Sequence, residues 1–165
     1  MFVFIPADGW PAIIDQEPDE DRLSDLMNAI PVHTTIGRGL GMTLEETQDG
    51  PLNLAASYLV SVLYGQALAV HGPVAVVGVD EIVHVGDHVI GQNADLTRGR
   101  AQAVVDTVTE ALYADRGLDD KIRPSAAFGV PVAGPVKALL VRKAISFIRE
   151  EAGAPIAETG RDHTI

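Results

Sequence analysis

The chain contains no cysteine. That single absence excludes disulfides, thiolate nucleophiles, Cys-ligated zinc and iron–sulfur clusters together. Long apolar runs are missing too: Gly, Pro or a charge interrupts each one before the roughly 18 residues a membrane-crossing helix needs. The opening MFVFIPADGW has no basic segment and meets Pro6 early, unlike a secretory signal. A soluble, cytoplasmic protein with no membrane partner is expected. Bases are nearly lacking from the first part of the chain, where residues 1–97 carry 14 acids against Arg22 and Arg38 alone. Residues 98–165 carry 9 acids and 10 bases. Phosphate contacts need Lys and Arg, so nucleic acid is not the expected partner of the acidic part. No G-x-S-x-G elbow surrounds Ser24, Ser57, Ser61, Ser125 or Ser146, so no nucleophile declares itself.

What is present suits one folded domain. The 165 residues are 47% hydrophobic and 21% charged, ordinary globular usage at an ordinary domain length. FVFI, PADG and WPAIIDQ predict two short strands around a turn. Leu23, Leu26, Met27 and Ile30 recur at helical spacing, with Pro18 and Asp19 at the start and Asn28 and Pro31 at the end. LGMTLEET alternates like a half-buried strand. From Asn53 onward Ala55, Leu59, Val62 and Leu63 line a helical face that Gly65 stops. PVAVVG predicts a buried strand, and EIVHVGDHVIG a hairpin with Gly86-Asp87 as its two-residue loop, Gly86 meeting the demand of a type II′ turn. Val104, Val108, Ala111 and Leu112 mark a further helix after Thr97. Residues 116–134, with Pro124 and Pro131, read as a loop able to tether or wrap. Pro135 opens a last helix with a stripe of Leu140, Val141, Ala144, Ile145, Phe147 and Ile148. Strands and helices in this order, with hairpin-length links, predict an α+β fold: a small mixed, largely antiparallel sheet, packed helices and a C-terminal amphipathic helix. Residues 1–97 form its acidic core; residues 98–165 form a helical extension packed on that core or on a partner copy.

The opening strand pair, the short helix, MTLEETQDGPLN, the Asn53-x-x-Ala56 helix start and the strand from Gly72 to Gly78 together resemble an uncharacterised family, a domain of unknown function found in small phage and bacterial proteins. The likeness covers the first half of the chain. It implies a phage or mobile-element setting and carries no activity.

Asn53 precedes a long apolar run, and its side chain suits either a ligand hook or a helix cap. The cap is favoured, because Leu54, Ala55 and Ala56 supply no converging polar groups. A pure cap predicts that Asn53→Asp is close to neutral and Asn53→Ala destabilising.

GRGLG at 37–41 invites a phosphate loop, but MTLEET behind it alternates like a strand instead of opening a helix, which favours a turn or bulge with positive φ. Glu81, His84, Asp87 and His88 are the local metal-competent group. On a straight strand the two histidines stand about 13 Å apart at a rise of about 3.3 Å per residue, and in the hairpin they pair with Val89 and Val85 on opposite faces. No metal or cofactor is expected. Asp15, Glu17, Asp19, Glu20, Asp21 and Asp25 cluster around the first helix start. Such acids stabilise a helix N-terminus, yet Asp21 and Asp25 repel at i, i+4 and the excess over 97 residues exceeds what one cap needs. These six are the candidate partner-binding residues, addressed to a basic protein surface, including one that ordinarily receives DNA phosphates.

The leading expectation is therefore a non-enzymatic protein-binding accessory or host-modulating protein. A small-ligand or nucleotide-dependent enzyme and a structural homo-oligomer, joined through the C-terminal helix, are the alternatives.

Overall fold

A computed structural model describes residues 1–123 and 134–153, with backbone alone for 81–85 and 88–90. The elements run β1 (Phe2–Ile5), β2 (Ala12–Ile14), α1 (Glu20–Met27), β3 (Pro31–Gly37), β4 (Leu40–Glu45), α2 (Leu54–Tyr64), β5 (Val74–Val85), β6 (His88–Ala94), α3 (Arg98–Asp115) and α4 (Gly134–Gly153), with a 3-10 turn at Asp119–Lys121. The six strands form one antiparallel sheet in the order β2-β1-β5-β4-β3, and β6 pairs with the distal part of β5. The fold is α+β, as the mixture of periods in the sequence requires.

Strand alternation divides the sheet between two apolar layers. Val3, Ile5, Leu40, Met42, Val74 and Val76 face α2 and α3, joining Ala55, Leu59, Val104 and Val108 in the main core. Phe2, Ala75 and Val77 face the other way, onto Leu23 and Met27 of α1. A further layer lies outside α2 and α3: Ala138, Val141, Ile145 and Ile148 of α4 pack on Leu54, Tyr58, Ala111 and Ala114. The second half of the chain is thus built into the same core as the first.

Local signals account for the element ends. Asp19, Asn53 and Thr97 each cap the helix that follows, accepting from the backbone N–H three residues on. Asn28 and Gly65 close α1 and α2 in the left-handed region. The 5–6 hairpin has the expected register, His84 opposite Val89 and Val85 opposite His88, with Gly86 at φ 63°.

Three expectations need correction. In α1 the inward stripe is narrower than its spacing suggests: Leu23 and Met27 are buried, whereas Ile30 is 71% exposed, because the helix ends at Asn28 and the chain turns away. In α4 the apolar positions extend past the buried face, with Val141, Ile145 and Ile148 inward and Leu140 and Phe147, beside them, about half exposed. Arg142 and Arg149 of α4 pair with Asp119 and Asp115.

The third correction concerns Asn53, which is fully buried. Its oxygen caps α2 by accepting from the Ala56 N–H at 3.0 Å. Its amide nitrogen donates to the carbonyls of Ile5, at 3.0 Å, and Gly72, at 2.9 Å. Asn53 therefore joins the helix start to the end of β1 and the approach to β5. An aspartate keeps the acceptor but loses both donors and sets a carboxylate against two carbonyl oxygens, so Asn53→Asp is not neutral.

Candidate functional site

The acid-rich entry to α1 forms one wall of an open groove of about 940 Å³ on the α1 side of the sheet. Glu17, Asp19 and Glu20 line it from this side, and Asp80 of β5 and Asp95, just beyond β6, line it from the other. Five carboxylates from three separated segments thus converge, and no Lys or Arg occurs among the described lining residues. Asp19 is held in place by its capping bond to the Arg22 N–H, 2.9 Å. Asp95 meets the Met1 ammonium at 2.8 Å. Glu17 and Asp80 make no ion pair among the described residues.

His33 of β3 stands in the same groove. Its Nδ1 lies 2.8 Å from the Thr43 hydroxyl and 3.2 Å from the Asn93 amide nitrogen. Its Nε2 faces Glu20 at 3.8 Å.

Of the six candidate acids, then, Glu17, Asp19 and Glu20 enter the groove. Asp21 and Asp25 lie around α1 beside Asp19, Arg22 and Leu26, in a shallower depression of about 370 Å³. Asp15 is exposed and belongs to neither. Asp80, Asp95 and His33 escaped sequence reasoning because each is an isolated polar residue in a strand or turn, and only sheet register brings them beside α1.

A second concentration of charge lies between helices. Glu110 of α3 and Lys137 of α4 form an ion pair at 2.6 Å with both side chains more than nine-tenths buried. The Tyr58 hydroxyl donates to the other Glu110 oxygen at 3.3 Å, and Lys137 Nζ donates to the Arg123 carbonyl at 3.1 Å. Burial raises the Glu110 carboxyl above the ordinary glutamate range, outweighing the lowering by Lys137 and by the Tyr58 hydrogen bond. Burial chiefly, with the Glu110 charge beside it, pushes the Tyr58 hydroxyl upward as well, which keeps it a neutral donor. Thr107, Glu110 and Ala114 form a buried line on α3 that hydropathy hides, since a glutamate in a helix ordinarily reads as surface.

No family model, curated protein or solved structure matches the chain. Function therefore rests on geometry. The GRGLG segment is the hairpin turn between β3 and β4, with Gly37, Arg38 and Gly39 all at positive φ and a register shift between Thr35 and Gly37. Its Arg38 carbonyl accepts from the Arg100 guanidinium of α3, and a strand, not a helix, follows it. Among the described residues no group of three His, Asp or Glu side chains has metal-holding geometry, and the side chains of Glu81, His84 and His88 lie outside those described. Ser57 and Ser61 are occupied by the backbone of the segment returning from α2, accepting from the Val70 and Leu68 N–H groups. Ser125 falls outside the described residues, and no described helix is long and apolar enough to cross a membrane.

Proposed function

We propose that the protein is a non-enzymatic binding module whose acidic groove receives a basic surface of another protein. The observation that carries this reading is the convergence of Glu17, Asp19, Glu20, Asp80 and Asp95 around one opening without a lining Lys or Arg among the described residues. Like charges held together by a rigid sheet and a capped helix raise the local potential and speed encounter with a cationic partner. The accessory or host-modulating role, in the phage or mobile-element setting that the family resemblance implies, is part of the same proposal.

The test is fluorescence anisotropy with an arginine-rich peptide. Glu17→Lys with Asp80→Lys is expected to weaken binding about tenfold or more at low salt, and raising the salt is expected to weaken the native complex. The control pair Glu150→Lys with Glu151→Lys on α4 makes the same change in net charge away from the groove. Equal weakening by both pairs leaves net charge alone as the cause and overturns the groove.

Self-association through α4 is a second reading, favoured by the outer line of Val136, Leu140 and Phe147, about half exposed at i, i+4 and i+11. Sedimentation velocity decides it: a dimer that Leu140→Glu converts to a folded monomer supports the interface, and a native chain monomeric at high concentration rejects it.

A further inference from the structure

The polar cleft beside Glu110, of about 590 Å³, has walls of opposite net charge. On one side Asp106 and Glu110 project from successive turns of α3. On the other, Lys121 and Arg123 flank Ile122, which is 4% exposed and lies in the α2–α3–α4 core, and Asp120 lines the cleft beside Lys121, so this wall keeps a net positive charge. Ile122 is extended, φ −79° and ψ 118°, so its neighbours are turned away from the core that it enters.

This short segment is held at three points. Ile122 is packed in the core, Asp119 pairs with Arg142 of α4, and the Arg123 carbonyl accepts from Lys137, itself paired with Glu110. The walls are consequently fixed relative to one another, yet their charges do not meet. Among the described residues Asp106, Lys121 and Arg123 form no ion pair, and Asp106 takes only the Gln102 amide, at 2.8 Å. Tyr113 also lines the cleft, tilted against Trp10 with ring centroids 5.3 Å apart, and the Arg116 guanidinium lies over the Trp10 ring at 4.7 Å.

We propose that this cleft binds a small zwitterion of amino-acid type, its ammonium toward Asp106 and Glu110, its carboxylate toward Lys121 and Arg123, and its side chain against Tyr113. A ligand with one sign of charge leaves one wall facing its own charge, whereas a zwitterion satisfies both. The preorganisation of the cationic wall by Ile122, Asp119 and Lys137 lowers the ordering cost of binding.

The experiment is isothermal titration of the full chain with free aromatic and aliphatic L-amino acids, each beside its methyl ester, which keeps only the cation, and its N-acetyl form, which keeps only the anion. At least one free amino acid is expected to bind saturably, with both derivatives about tenfold weaker or more. Asp106→Asn is expected to lose affinity for the free amino acid and the ester, and Lys121→Ala with Arg123→Ala for the free amino acid and the N-acetyl form. These side chains border solvent, and far-ultraviolet circular dichroism confirms the fold of each variant. The proposal is overturned if no free amino acid binds at millimolar concentration, if either derivative binds as tightly as its parent, or if the substitutions leave affinity unchanged.

Discussion

Asn53 and Glu110 show how much a single buried polar side chain carries here. Asn53→Ala removes a cap and both donors to the Ile5 and Gly72 carbonyls, and is expected to cost about 2–4 kcal/mol in urea denaturation. Asn53→Asp is expected to cost at least about 2 kcal/mol, against near-neutrality for a residue that only capped. Breaking the buried ion pair with Glu110→Gln or Lys137→Met alone is expected to cost about 3–5 kcal/mol, because one charge is left uncompensated. Replacing Tyr58, Glu110 and Lys137 together by Phe, Leu and Met is expected to recover most of that loss, since no buried charge then remains uncompensated. The native pKa of Glu110 lies above its unfolded value. Its contribution to stability is therefore fullest below the unfolded value and declines as pH rises through the native one. The measurement is stability against pH for the native chain and for Glu110→Gln, in which this decline is absent.

At the scale of elements, helix ends and hairpin turns were legible because their causes are local. Asp19, Asn53 and Thr97 act on N–H groups three residues away, and Gly86 acts on its own φ. The facing of α4 was not legible in the same way. Its apolar residues cover so wide an arc that periodicity could not say which side meets α2 and α3. Packing chooses Val141, Ile145 and Ile148. Ile145→Ala is accordingly expected to cost about 2–5 kcal/mol in chemical denaturation, and Leu140→Ala, on the outer line, under about 1 kcal/mol.

For the whole molecule, α4 is a layer of the core and not an appendage. Deleting residues 133–165 uncovers Leu54, Tyr58, Ala111 and Ala114 and leaves Glu110 without its cation. The truncated chain is expected to lose cooperative thermal unfolding, measured by circular dichroism, and to expose apolar surface to a hydrophobic dye. A truncated chain that unfolds cooperatively near the native midpoint contradicts this placement of α4.

By itself the sequence determined the exclusion of cysteine chemistry, the α+β class, the caps, the 5–6 hairpin register and the acidity of the first part of the chain. All of these depend on composition or on interactions within a few residues. Only the tertiary structure decided where the charges converge. Glu17 and Asp80 share a groove through the placement of α1 beside β5, and Tyr58 meets Glu110 across 52 residues of chain. Such meetings depend on which strand edges pair and which helix faces are covered, and the free energy that selects them comes from the assembled core, to which no single segment contributes enough to be read alone.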